Sequence, residues 1–247
     1  ELPRNEVGLV VALADKLETL VGMFGIGQLP TGDKDPFALR RHALGVLRIL
    51  IERDLALSLD ELIDAAASTF GDRIADAKAQ LLDFCFDRLG SLLKDQGYTP
   101  QEIDAVVSLR PAVLADVPKR LLAVRAFTQL PESASLAAAN KRIGNILKKS
   151  EAPAGGAVAP ALLRDAEERA LFEALQAVRE RAAPAFDAGD HQAALTACAA
   201  LKQPVDAFFD AVMVNAEDRQ LRDNRHALLR ELHQLMNRSA DLAKLAM

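Results

Sequence analysis

Leucine spacing constrains this chain more than any other feature of its sequence. Leu9, Leu13, Leu17 and Leu20, with Lys16 between them, recur at three- and four-residue intervals, which puts four leucines on one helical face. The alternation of a half-buried strand is absent, so the expected class is all-α. Composition agrees. Hydrophobic residues make up 50% of the chain but aromatic residues only 4%, with ten Phe, one Tyr and no Trp. The core must then be Leu, Ala, Val and Ile, a mixture that favours helices. At 247 residues the chain is long enough for one large domain or two small ones.

Helix boundaries follow from capping residues. Glycines between Gly22 and Gly32 are expected to break the first helix. Asp35 and Pro36 read as N-cap and first residue of a helix to about Arg53. Ser58 with Glu61, and Thr99 with Glu102, form two capping boxes, the second helped by Pro100. Between them, residues 73–94 read as a longer amphipathic helix, and Pro118 and Pro131 as the starts of two more, the second running to about Leu147. Residues 148–160, KKSEAPAGGAVAP, read as a flexible linker. Helices are expected near 161–182, 190–201, 203–214 and 217–244. Residues 191–201 imitate half of a helical repeat, but no period of about 34 residues follows.

Several functions are disfavoured by residue type alone. Cys85 and Cys198 are too few and too far apart for a zinc site or a disulfide framework, and read as small core residues in a reducing cytosol. His42, His191, His226 and His233 are scattered over three expected helices and form no metal pair. His226 and His233, seven apart, share a face. The GMFGIG run at 22–27 has the glycines of a phosphate loop but follows a helix and lacks the GK[ST] ending. A stacking platform for single-stranded nucleic acid needs more exposed aromatics than this chain has. No apolar run reaches the ~20 residues of a membrane span, no signal peptide is expected, and the setting expected is cytoplasmic. The chain begins with Glu1, so it is expected to be an excised part of something longer.

Charge is unevenly distributed. The net −5 resolves into −6 over residues 1–110, +5 over 111–150, −1 at Glu151 and −3 over 152–247. The basic block contains Lys119, Arg120 and Arg125 on one expected helix and Lys141, Arg142, Lys148 and Lys149 on or just past the next. Opposite the Leu136, Ile143, Ile146, Leu147 stripe of that second helix lie Lys141, Asn145 and Lys148, suited to phosphate contacts plus one base-edge hydrogen bond. The last helix repeats the pattern. Leu221, Leu228, Leu232, Leu235 and Leu242 face inward, while Arg219, Arg222, His226, Arg230 and His233 form a continuous basic stripe edged by Asp223 and Glu231. Spacing alone leaves both faces open to two readings, ordinary solvation or RNA contact.

Three segments carry a family resemblance. Residues 12–50, ALADKLETLVGMFGIGQLPTGDKDPFALRRHALGVLRIL, and residues 204–235, PVDAFFDAVMVNAEDRQLRDNRHALLRELHQL, resemble the bacterial glycyl-tRNA synthetase beta subunit. Residues 138–149, AANKRIGNILKK, look like the start of the DALR-type anticodon-binding bundle, which arginyl-tRNA synthetase shares. The resemblance implies the C-terminal part of that subunit: residues 1–130 as the helical end of an HD-like domain with connecting helices, and 131–247 as a DALR-type bundle. It implies a non-catalytic, tRNA-binding role in protein biosynthesis, in an alpha2beta2 assembly. Glycine tRNA and the alpha subunit are the expected partners, with no membrane. ATP and Mg are expected at the alpha subunit, and no cofactor in this chain.

By helical geometry and family position together, Lys141, Arg142 and Lys148 are expected on backbone phosphates and Asn145 on a base edge. Arg219, Arg222 and Arg230 are expected to line the opposite wall, and Arg120, Arg125 and Arg225 complete the expected RNA-binding set. Asp15 occupies the place of a terminal HD-type metal ligand, but its partner ligands are not in this sequence, so a structural role is expected. Two rivals are a helical protein-docking scaffold, suggested by the acidic, alanine-rich residues 54–110, and a degenerate HD-type phosphohydrolase fragment.

Overall fold

The computed structural model describes residues 2–150 and 156–246, and every regular element among them is helical. Isolated bridges join Thr31 to Lys34 and Ser58 to Val113. Chain contacts divide the protein into two compact units, Glu1–Ile103 with Arg110–Pro118, and Asp104–Leu109 with Lys119–Met247. The division falls between residues 103 and 119 rather than at 130, close to the change of charge at 110/111.

In the first unit, α1 (Glu6–Gly25) packs on α2 (Leu39–Glu52), α3 (Leu59–Ser68) and α4 (Lys78–Asp95). Leu13, Leu17, Leu20 and Phe24 of α1 are buried as the leucine spacing requires. Val7, Val10 and Val11 at its other end stay more than 60% exposed. The glycines do not end α1 at residue 22. Gly22 and Gly25 lie inside it, and their missing side chains admit Phe70 and Ile74: a Cβ on Gly25 would stand 2.7 Å from Cβ of Ile74. The GMFGIG run is therefore a packing surface and helix end rather than a phosphate loop.

Two helix starts differ from expectation. Asp35 does cap α2, accepting from the amides of Leu39 at 2.8 Å and Arg40 at 3.0 Å. Ala38, however, takes a left-handed φ of 55°, so helical geometry begins at Leu39 and not at Pro36. α4 starts at Lys78 rather than 73, because Gly71 at φ 56° and a 3-10 turn at Gly71–Arg73 break the register first. α5 (Pro100–Val107) has the expected capping box, with Glu102 accepting from the Thr99 amide at 2.8 Å and the Thr99 hydroxyl accepting from the Glu102 amide at 3.2 Å. At α3 the Ser58 hydroxyl accepts from the Glu61 amide at 3.4 Å.

The second unit contains α6 (Val117–Thr128) from Lys119 onward, α7 (Ser133–Lys148), α8 (Ala166–Asp187), α9 (His191–Cys198), α10 (Lys202–Ala211) and α11 (Arg219–Met236). α7 packs on α10, α11 and the terminal 3-10 turn Leu242–Leu245. A pair of amides ties α7 to α11. Asn140, fully buried, donates to Asn237 Oδ1 at 2.7 Å and accepts from Asn237 Nδ2 at 3.1 Å. Asn237 Oδ1 also accepts from the Leu242 amide at 2.9 Å, and Nδ2 donates to the His233 carbonyl at 2.9 Å.

Of the expected linker, residues 151–155 lie outside the described residues. Its far end is docked rather than free, since Ala159 exchanges two hydrogen bonds with the Asn224 side chain at 2.7 and 3.2 Å. α8 accordingly begins at Ala166, after a 3-10 turn at Pro160–Leu162. Cys85 and Cys198 are buried, and burial pushes both thiols up to about 12, which keeps them protonated and unreactive at neutral pH.

Candidate nucleic-acid interface

α7 buries Leu136, Ala137, Asn140 and Ile143 and turns Lys141, Arg142, Asn145 and Lys148 outward. The period of 3.6 residues that sinks the first set must lift the second. α11 is capped by Asp218, whose carboxylate accepts from the amides of Gln220 and Leu221, and it carries Arg219, Arg222 and His226 along one face. Between α10 and α11, Val212 and Val214 are buried while Asn215 points out.

These elements enclose two adjoining cavities. The first, about 480 Å³, is lined by α7 side chains including Lys141, Arg142, Asn145 and Lys149, and by Asn215 and His226. The second, about 500 Å³, shares Lys149, Asn215 and His226 and adds Ser150, Arg219, Arg222 and Asp223. Together they form one groove with five cations and a single carboxylate. That carboxylate, Asp223, stands 3.6 Å from Arg219, and Arg219 is 80% exposed. Such clustering gives a positive local field inside a chain of negative total charge.

His226 forms the floor where the two cavities meet. It is buried, with Asn215 Oδ1 3.2 Å from Nε2 and the Ser150 hydroxyl 2.5 Å from Nδ1. Both ring nitrogens thus have a polar partner within hydrogen-bond distance. Burial holds its pKa below the usual imidazole value, opposed by Asp223 and assisted by Arg222 and Arg230. Burial also lowers His233, opposed by Asp241 and assisted by Lys148. The expected stripe on α11 is therefore not continuous in charge: its arginines are cationic and its two histidines are held toward neutrality.

The structure sorts the expected RNA-binding residues. Lys141, Arg142, Asn145, Arg219 and Arg222 share the groove. Lys148 and Arg230 lie on the same helices and do not line it. Arg125 is exposed on α6, also outside the lining. Arg120 is half-buried and donates to the carbonyls of Arg238 at 3.0 Å and Ser239 at 2.9 Å, so it holds the segment after α11 in place.

Arg225 is the clear correction. Its side chain is only 8% exposed and bonds Glu168, itself fully buried, through Nε. It also reaches Asp165 at 2.8 Å and the Met213 carbonyl at 2.7 Å. A guanidinium so occupied is a strut of the bundle. Its two carboxylate partners lie 57 and 60 positions away in sequence, which the periodicity of α11 could not reveal. Five polar groove residues were not in the expected set: Lys149, whose place in the basic block was the available signal, His226 and Asp223, both noted on the last helix, and Ser150 and Asn215, for which no signal existed.

Asp15 is exposed, with Lys16 4.0 Å away, so it has no buried structural role. Among the described residues no group of three or more His, Cys, Asp or Glu side chains could hold a metal ion, and no helix is long and apolar enough to cross a membrane.

Comparison with known proteins bears on the groove directly. The sequence model of the glycyl-tRNA synthetase beta subunit matches residues 1–108, and that of the DALR anticodon binding domain matches residues 136–246. The glycine–tRNA ligase beta subunit of Polaromonas naphthalenivorans (strain CJ2) is 63% identical over 245 residues, covering 99% of this chain. Along 99% of its length the chain is similar to glycyl-tRNA synthetase beta subunits. The beta subunits of Janthinobacterium sp. (strain Marseille) and Dechloromonas aromatica (strain RCB) are 61% and 62% identical, over 100% and 99% of the chain. The chain spans about a third of the length of these relatives, 34% to 35%. Both walls of the groove, α7 from Leu136 and all of α11, fall inside the stretch that matches the anticodon-binding domain.

Proposed function

We propose that this chain is a tRNA-binding, non-catalytic portion of a cytoplasmic glycine–tRNA ligase, and that the groove between α7 and α11 receives the anticodon region of glycine tRNA. The observation that carries the reading is the five-cation groove, with the amides of Asn145 and Asn215 in its walls, lying within the match to an anticodon-binding domain. Lysine and arginine side chains supply phosphate contacts that hold register, and the amides supply base-edge hydrogen bonds that carry sequence. RNA loops expose the unstacked bases such contacts need. Glycine activation with ATP and Mg belongs, in this reading, to an alpha subunit in an alpha2beta2 enzyme.

Salt titration of tRNA binding tests the proposal. Each phosphate neutralised within a single-stranded loop contributes about −0.7 to the slope of log affinity against log salt, so a slope of about −2 to −3 is expected. A glycine tRNA with a swapped anticodon should bind more weakly. Equal binding of both RNAs at low salt removes the anticodon assignment, and the absence of any salt-dependent binding favours the docking-scaffold reading instead.

A further inference from the structure

Arg142 is distinguished from the other groove cations by what lies behind it. Its Cζ sits 4.1 Å from the centroid of the Phe209 ring on α10. Phe209 is in turn braced edge-on by Phe208, at 5.5 Å between centroids and 76° between planes, and Phe208 is completely buried. A core ring thus supports a half-buried ring, which supports an exposed guanidinium lining the first cavity. The order that aromatic packing confers on Phe209 passes to Arg142, which makes no ion pair with a carboxylate among the described residues.

We propose that Arg142 is a stacking shelf for one unstacked nucleobase of the bound RNA, and that Asn145 reads the edge of that base. The inference rests on the RNA-binding reading and adds to it a residue that determines recognition by its shape. A guanidinium is planar and delocalised and accepts a base on its face, whereas a lysine ammonium of equal charge does not. Asn145 lies three residues along the same helix and lines the same cavity, so its amide is a neighbour of whatever rests on Arg142. Lys141 and Lys149 on the same wall supply the phosphate contacts that bring a loop to that position. A chain with 4% aromatic residues can in this way offer a stacking surface without exposing a bare ring. The cation covers the hydrophobic face until a base arrives.

The test is a double-mutant cycle between Arg142 and the RNA. The 247-residue chain and its Arg142→Lys variant are titrated with the anticodon stem-loop of glycine tRNA, intact or with an abasic residue at each loop position in turn. Wild type should lose about tenfold in affinity at one position, the scale of one stacked base. Arg142→Lys should lose about tenfold on the intact loop, lose nothing further at that same position, and keep the wild-type salt slope because its charge is unchanged. Phe209→Leu, which removes the support and leaves the arginine, should show the same coupling.

Arg238, whose Cζ lies 4.2 Å from the Phe186 centroid and which is not among the groove residues, is the control. Arg238→Lys should match the thermal-stability change of Arg142→Lys and leave RNA binding intact. Wild-type affinity of Arg142→Lys for the intact loop, or additive losses at every position, overturns the shelf while leaving the RNA-binding reading in place. A wild-type chain that fails to bind the intact loop at low salt defeats the RNA reading itself, and the shelf with it.

Discussion

Replacing Arg225 by alanine separates a structural arginine from an RNA-binding one. The guanidinium makes three kinds of bond, to Glu168, to Asp165 and to the Met213 carbonyl. Glu168 is completely buried and meanwhile accepts from the amides of Arg164 at 2.6 Å and Asp165 at 2.9 Å. Removing the cation leaves that carboxylate in the interior without its counter-charge, an arrangement that costs about 3–5 kcal/mol. The Met213 carbonyl loses its donor as well, adding about 1 kcal/mol or less where water reaches it. The Asp165 side chain is 45% exposed, so its share of the loss is small. Chemical denaturation followed by helical circular dichroism measures the change. Replacing Arg225 and Glu168 together by Met and Leu should recover most of the loss, since apolar side chains of similar volume replace a buried ion pair at little net cost. If Arg225→Ala instead left stability within about 1 kcal/mol of wild type while weakening RNA binding and flattening its salt slope, the buried strut would be refuted and Arg225 would return to the interface.

Three further outcomes are expected. His226 and His233 have folded pKa values below that of the unfolded chain, so the unfolded state binds protons first as pH falls. Stability is then complete above about pH 7.5 and declines through pH 6.5 and below, by at most about 1.4 kcal/mol per pH unit for each ring, and His226→Gln should flatten that decline in denaturation measured at several pH values. Gly25→Ala should destabilise by about 1–3 kcal/mol, because its Cβ would meet Ile74 Cβ at 2.7 Å and the Ala75 carbonyl at 3.1 Å. Gly90→Ala, with its nearest neighbour at 3.8 Å inside α4, should be neutral or stabilise by up to about 1 kcal/mol, and a wild-type melting temperature for Gly25→Ala would contradict the close approach. Lys149→Gln should reduce the salt slope of RNA binding by about 0.7 and weaken all loop sequences alike, whereas Asn215→Ala should alter preference among loops with the slope unchanged.

What could be read from the sequence was whatever depends on near neighbours. Helical class, the buried leucines of α1 and α11, the Thr99 capping box and the outward face of α7 all follow from residues within one or two turns of each other. Apart from the local turn at Ala38, the errors share the opposite property. Ala38 at a left-handed φ delays α2 although Asp35 caps it as expected. Gly22 and Gly25 look like helix breakers until Phe70 and Ile74 come to rest on them. Arg225 repeats the spacing of its exposed neighbours, and only Glu168, on another helix, shows which way it points. In the groove, Lys141, Arg142, Asn145, Arg219 and Arg222 were recognisable because charge and helical phase are both local. Phe209 was not, because its importance lies in a contact between α10 and α7.

The amide pair of Asn140 and Asn237 has a consequence for the proposed RNA binding. Helices packed through aliphatic side chains alone can slide against one another at modest expense. Two reciprocal hydrogen bonds of 2.7 and 3.1 Å cannot follow such a slide, and a single residue step of about 1.5 Å would break both. The Leu242 amide and the His233 carbonyl hold the same side chain from two further directions. The α7 and α11 walls are therefore gauged against each other like the jaws of a fixed caliper. A nucleic acid that enters must open to that width, so adaptation falls on the RNA loop, and loops that unstack with least effort fit best whatever their charge.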